Sequence, residues 1–151
     1  MFPMVLLTLT LNSPLEKQIY RLCKNEFPKQ VAVEKAKHYA PLIQSASCKY
    51  KIEPSVVASM IWHESNYKPK TVSPYGARGL MQIMPMWFKR GENWRDHQTN
   101  INVGCRVLTM YRMQFHGNMH RALTAYCYGP APVSRGKYRS RYSSQVLKRA
   151  W

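Results

Sequence analysis

Acidic residues are scarce in this chain. Asp and Glu together number 7 among 151 residues, against 23 Lys plus Arg, and Asp96 is the single aspartate. So few carboxylates argue against carboxylate-rich metal cages, and acid–base chemistry has to draw on a short list of acids. The net charge of +16 favours polyanionic partners such as nucleic acid, anionic membranes or bacterial envelope polymers.

The sequence also lacks a long apolar run. A membrane-spanning helix needs about 20 apolar residues, and the apolar stretch at residues 1–11 is too short, so we expect no transmembrane segment. That stretch resembles the core of a secretory signal, but no Lys or Arg precedes it and no A-x-A-like site follows. The alternative is an N-terminal segment packed on the domain.

Closely spaced cysteines are absent as well. Cys23, Cys48, Cys105 and Cys127 form no C-x-x-C pair, which argues against a zinc site. We expect neither a metal nor a cofactor. The four cysteines could form two disulfides or could be four buried free thiols. The sequence therefore does not decide whether the protein works in an oxidising or a reducing compartment. No recognition helix, zinc-finger spacing or RNA-binding signature accompanies the charge, so we expect no specific nucleic-acid partner.

The chain predicts one mainly α-helical domain. Its length fits the roughly 100–200 residues of a single domain, and 45% hydrophobic residues suffice for a core. Apolar residues at helical spacing predict helices over 14–24, 29–43, from Pro54 to about Glu64, 100–115 and 122–128. Between the third and fourth helices, Pro and Gly residues predict a long irregular loop. We divide the chain into an N-terminal helical segment (1–49), a core (50–135) and a basic tail (136–151).

Glu64 is the most informative carboxylate. Met60 and Ile61 precede it on one predicted helix. Burial among apolar neighbours favours the neutral form of a carboxyl and raises its pKa, which suits a general acid. The alternative is a surface glutamate paired with a Lys or Arg.

Four short motifs follow in order around this glutamate. They are Glu64-Ser65, Gly79-Leu80-Met81-Gln82-Ile83-Met84-Pro85, Asn100-Ile101-Asn102-Val103-Gly104 and Ala125-Tyr126-Cys127-Tyr128-Gly129-Pro130. In this order and spacing they resemble the soluble lytic transglycosylase family, the goose-type lysozyme-like enzymes that cleave peptidoglycan. The resemblance covers about residues 50–135 and implies an α+β, lysozyme-like fold that is mainly helical.

The resemblance also implies roles for single residues. Glu64 would be the catalytic acid and then the base, cleaving the β-1,4 bond between N-acetylmuramic acid and N-acetylglucosamine to leave a 1,6-anhydromuramoyl end. Ser73, Gln82 and Met84 would line the sugar-binding groove, and Tyr126 would lie near the catalytic carboxyl. The alternatives are a turn residue for Ser73, a loop-bracing amide for Gln82, and core residues for Met84 and Tyr126. His63 should point away from Glu64, because residues i and i+1 do not share a helix face.

Cys127 departs from the family pattern, which has asparagine there. A thiol replaces an amide poorly as donor and acceptor, so an inactive wall-binding or virion structural protein is one alternative. Another is a water-using muramidase in which Glu92 or Asp96 supplies a second carboxyl.

The expected setting is the bacterial cell wall, in the periplasm or outside the cell. Peptidoglycan glycan strands are the expected partner, and the basic tail would bind anionic envelope polymers. Small single-domain members of the family suggest a phage virion or a secretion apparatus as a further partner.

Overall fold

The computed structural model describes residues 10–136 and 138–151. The question of a signal at residues 1–11 therefore lies almost wholly outside the described residues. In the described ranges the chain forms seven α-helices: α1 (Pro14–Cys23), α2 (Lys29–Tyr50), α3 (Pro54–Ser65), α4 (His97–Gln114), α5 (Met119–Tyr128), α6 (Pro130–Ser134) and α7 (Arg141–Ala150). The mainly helical fold predicted from the sequence is confirmed.

The region between α3 and α4 is irregular, as predicted. It contains a 3-10 helix (Pro85–Trp87) and two isolated β-bridges, which join Val72 to Arg78 and Arg78 to Ile83. These bridges are the only β-pairing among the described residues, so the β part of the expected α+β fold is minimal here.

Helix starts follow side-chain caps that periodicity alone did not locate. Asp96 accepts the Thr99 N–H, so α4 begins at His97, three residues before the predicted start. Asn118 accepts the Arg121 N–H and starts α5 at Met119 in the same way. Such caps satisfy backbone donors that have no partner within the helix.

Helix α2 runs seven residues past its predicted end at Ile43. Pro41 lies inside the helix without ending it. Ala46 and Ser47, both buried, extend the face of the helix that points into the core. Lys51 ends the helix in a left-handed conformation with φ 52°. Packing on this face outweighs the unfavourable proline.

The segment that we predicted to be a basic tail is in large part helix α7. Ser140 and Ser143 form a capping box at its start. Ser143, Val146 and Ala150 are buried, at the i, i+3 and i+7 spacing of one helix face. This face packs on α3 and α5, so α7 is an integral part of the domain.

Helix α3 lies inside the domain and positions Glu64. It packs against α1, α2 and α7, and Val57, Met60 and Ile61 on it are fully buried. A rigid, enclosed helix therefore carries the candidate acid at its C-terminal end. No helix in the described ranges is both long and apolar enough to cross a bilayer.

Candidate active site

Glu64 lies in the last turn of α3 and is partly buried. Burial raises the pKa of its carboxyl to about 7, and a hydrogen bond from Tyr142 acts in the opposite direction. A carboxyl with this pKa exchanges a proton near neutral pH, which a general acid that must then act as a base requires. Glu64 is therefore not a surface glutamate paired with a Lys or Arg, which was the alternative prediction.

Tyr142 holds this carboxyl from α7. Its hydroxyl donates to Glu64 Oε1 at 2.5 Å. The pKa of Tyr142 lies well above its ordinary value, because burial and the nearby Glu64 charge both disfavour the phenolate. Tyr142 therefore remains a donor across the pH range in which Glu64 titrates. Tyr142 was not among the predicted site residues because its segment was predicted to be a basic tail, although Tyr142, Val146 and Ala150 recur at helical spacing.

Met81 is the point at which three of the motifs meet. Its carbonyl accepts the Tyr126 hydroxyl at 2.8 Å, and its N–H donates to Asn100 Oδ1 at 2.9 Å. Gly104 leaves room for its side chain, since a methyl group there would lie 2.8 and 2.9 Å from Met81 Cε and Cβ. The motifs on α4 and α5 thus fix the loop that precedes the 3-10 helix.

Asn100 completes this attachment. Its amide is almost fully buried and donates to the carbonyls of Arg78 at 3.0 Å and Trp94 at 3.2 Å. Gly79 approaches so closely, with φ 79°, that any side chain would collide with the Asn100 amide. One buried side chain therefore ties three points of the irregular region to α4.

Tyr126 lies near the candidate acid, as the resemblance implies. The Glu64 charge contributes, after burial, to a Tyr126 pKa well above the ordinary value. Its hydroxyl nevertheless bonds Met81 and not the carboxyl. The structure thus gives Tyr126 a loop-holding contact, and a contact with substrate stays a prediction.

The three predicted groove residues lie on the irregular region, where two of them have local partners. Ser73 Oγ accepts the Ala77 N–H at 3.1 Å, which closes a tight turn. Gln82, at φ 49°, donates its amide to the carbonyls of Gly79 and Thr71 at 2.9 and 3.2 Å. Met84 is exposed. The turn and loop-bracing alternatives therefore describe contacts present in the structure, while sugar binding by these residues stays a prediction.

The cysteines form no disulfide. Burial raises the thiol pKa of Cys23 and Cys105 to about 12, so both are unreactive. Cys127 is exposed on α5, and a thiolate at this position would raise the pKa of both Tyr126 and Tyr142. The residue that departs from the family pattern is thus close to the two tyrosines of the site.

Both candidate second carboxyls have structural partners. Glu92 receives two hydrogen bonds from Arg106, at 2.6 and 2.9 Å, which hold its pKa down at about 2. Asp96 caps α4 through the Thr99 N–H, and hydrogen bonds from the Thr99 side chain and backbone lower its pKa. Arg106 also donates to the Trp87 carbonyl at 2.8 Å, so the Glu92 pair attaches the 3-10 helix to α4.

Fold and site together define a helical domain with a protonatable glutamate at a helix end, beside a loop fixed by two further helices. Residues 41–146 match the transglycosylase SLT domain, and the chain belongs to that family.

Known relatives agree with this assignment. The chain is 34% identical over 108 residues to a transglycosylase of Enterobacteria phage PRD1, covering 70% of this chain and 40% of the relative. It is 32% identical over 107 residues to the soluble lytic murein transglycosylase of Escherichia coli strain K12, covering 63% of this chain and 17% of the relative. The chain therefore spans less than half the length of these relatives.

The fold has counterparts among solved structures. The crystal structure of the 70 kDa soluble lytic transglycosylase from Escherichia coli superposes with a TM-score of 0.68 at 22% identity, over 90% of this chain and 29% of that one. An inactive mutant of the Pseudomonas aeruginosa lytic transglycosylase Slt gives a TM-score of 0.65 at 20% identity, over 87% and 28%. At these identities the similarity concerns the fold.

Proposed function

We propose that the chain is a peptidoglycan lytic transglycosylase that acts at the bacterial cell wall and forms 1,6-anhydromuramoyl ends. The observation that carries the proposal is the Glu64 carboxyl, with a pKa of about 7 and with Oε1 accepting the Tyr142 hydroxyl. Since Tyr142 takes up Oε1, the proton of the neutral carboxyl is placed on Oε2. Names of relatives, which include murein transglycosylases, support the substrate class.

The reaction uses this carboxyl twice. Glu64 gives its proton to the glycosidic oxygen as the bond from that oxygen to muramoyl C1 breaks. The carboxylate then takes the proton of the muramoyl C6 hydroxyl, whose oxygen bonds to C1. No water is consumed, and Glu64 ends in its starting protonation state. A nucleophile within the same sugar has a high effective molarity, so a second carboxylate is not required.

The partners of the other acids support this route over hydrolysis. Glycosidases that use water or a covalent intermediate need a second carboxyl about 5–9.5 Å from the first. Glu92 is engaged by Arg106 and Asp96 by the start of α4. Moving either towards Glu64 would break an ion pair or a helix cap.

Mass spectrometry of products from purified peptidoglycan tests the proposal. We expect anhydromuramoyl ends, lighter by one water than reducing ends, from the wild type and from Glu92→Gln. Glu64→Gln should give no product while remaining folded and still binding the wall. Reducing muramic acid ends would show hydrolysis and overturn the transglycosylase proposal. Absence of product from the wild type would favour the inactive, wall-binding alternative, and Cys127→Asn would then be the variant to compare.

We also propose that exposed cations of α7 bind anionic envelope polymers, with Arg141 and Lys148 as representatives. Truncating the chain before α7 would remove Tyr142 as well, so charge substitution is the proper test. We expect Arg141→Gln/Lys148→Gln to pellet less with cell walls at low salt, and the difference to disappear at high salt, where exposed charges are screened. Equal binding at low salt would contradict this. A phage virion or secretion-apparatus partner stays a prediction.

A further inference from the structure

His63 precedes Glu64 on α3, and its side chain lies against α7. Its Nε2 is 3.1 Å from Arg149 Nη1, and its ring meets the Tyr142 ring edge-on, with centroids 6.0 Å apart and planes at 67°. Tyr142 in turn donates to Glu64. His63 and Glu64 thus both contact Tyr142, and the imidazole lies against the ring of the tyrosine that holds the carboxyl.

These contacts require a neutral His63. A guanidinium can only donate, so Nε2 must accept from Arg149 and the ring proton must be on Nδ1. The Gln145 backbone bonds the imidazole and favours its protonated form, but burial and the Arg149 charge outweigh this and lower the His63 pKa from 6.5. The groups that face His63 are Arg149, Tyr142 and the Gln145 backbone, all of α7. At neutral pH the ring therefore bridges α3 and α7 without charge.

Protonation would reverse the sign of the Arg149 contact. Nε2 would become a donor facing another donor, and two positive charges would lie 3.1 Å apart. Like charges at this distance repel. Arg149, whose side chain is exposed, would turn away from His63, and the contact that joins α3 to α7 beside Tyr142 would be lost.

We propose that His63 is a positioning residue for Glu64: its neutral imidazole, which contacts Arg149 and packs against the Tyr142 ring, keeps the Tyr142 hydroxyl on the carboxyl, and its protonation weakens that hydrogen bond. This inference rests on the proposed function. It gives the activity an acidic limb that a single-acid mechanism lacks, because Glu64 itself stays protonated on the acidic side of its pKa.

Profiles of kcat/KM against pH on purified peptidoglycan test the inference. For the wild type we expect an acidic limb with its midpoint below 6.5. His63→Gln keeps an acceptor for Arg149 but does not titrate, so it should lose this limb and retain activity at pH 7 within about threefold. His63→Ala should lose about tenfold at pH 7, mainly in kcat, because small displacements of catalytic groups are costly. His116→Asn is the control: His116 is exposed and left-handed, a conformation that asparagine adopts readily, and the wild-type profile should persist.

An acidic limb in His63→Gln identical to that of the wild type would overturn the inference. A wild type without any product would instead overturn the proposed function, and a second measurement then still applies. NMR of the full chain can follow the His63 ring nitrogens and the Tyr142 Cζ signal together. In the wild type we expect the Tyr142 signal to shift both with the Glu64 titration and with the His63 titration, and in His63→Gln with the Glu64 titration alone. A Tyr142 signal that does not change when His63 is protonated would also overturn the inference.

Discussion

Tyr142→Phe removes the hydroxyl that bonds Glu64 and leaves the ring that packs between α3 and α7. The hydrogen bond favours the charged carboxylate, whereas burial favours the neutral acid. Phenylalanine therefore removes the opposing effect, and the Glu64 pKa should rise above about 7.

The size of the change follows from the strength of such a bond. Hydrogen bonds to charged groups contribute about 1.5–3 kcal/mol, and the neutral carboxyl also accepts this one, so about half of that energy separates the two protonation states. At about 1.4 kcal/mol per pH unit, the Glu64 pKa should rise by about half to one unit. Since Glu64 must carry a proton to begin the reaction, activity is lost as pH rises through this pKa.

The assay is the alkaline limb of kcat/KM on purified peptidoglycan. In Tyr142→Phe we expect its midpoint to move to higher pH by about half to one unit, and kcat at the optimum to fall about tenfold because the carboxyl is less well oriented. Tyr138→Phe is the matched control, because the exposed Tyr138 ring packs under Arg121. A midpoint in Tyr142→Phe that stays in place or moves to lower pH would refute the reasoning.

Two further predictions concern stability. The folded-state pKa of Glu64 is raised from 4.5 to about 7, so the stability that its neutral form contributes is present below pH 4.5 and is lost as pH rises through 7. Relative to the wild type, Glu64→Gln should gain about 3 kcal/mol of unfolding free energy between pH 4 and pH 8; a pH-independent difference in urea titrations would contradict the raised pKa. Asn100→Ala should lower the unfolding free energy by about 3 kcal/mol, because it leaves the buried Met81 N–H and the Trp94 carbonyl without these hydrogen bonds and removes one of the two to the Arg78 carbonyl. Asn93 is exposed, and as a control Asn93→Ala should lower the unfolding free energy by less than about 1 kcal/mol. Equal decreases in the two variants would argue against a special role for Asn100.

Local patterns predicted most helices because capping and periodicity act over a few residues. Pro54 started α3 as predicted, and the helix predicted over 100–115 is present as α4, with Ile101 and Leu108 fully buried. Helix ends were predicted less well. Asp96 and Asn118 each added a turn through a side-chain cap. Helix α2 continued past its predicted end at Ile43, because other helices bury its face.

The sequence by itself determined the family, the helical class and the identity of Glu64 as the candidate acid. Each of these rests on residues adjacent in the chain or on motif order. It did not determine the partners of that acid. Tyr142 reaches Glu64 across 78 positions, and Met81 is held by Asn100 and Tyr126 from two other helices.

Only the tertiary structure decided which acids have other partners and how burial and Tyr142 shift the Glu64 pKa. Burial and hydrogen bonding depend on neighbours in space, and the pKa of a carboxyl follows them more than its own sequence context. The basic C-terminal segment was predicted to be a charged tail, but most of it is helix α7. This helix supplies Tyr142, which donates to Glu64.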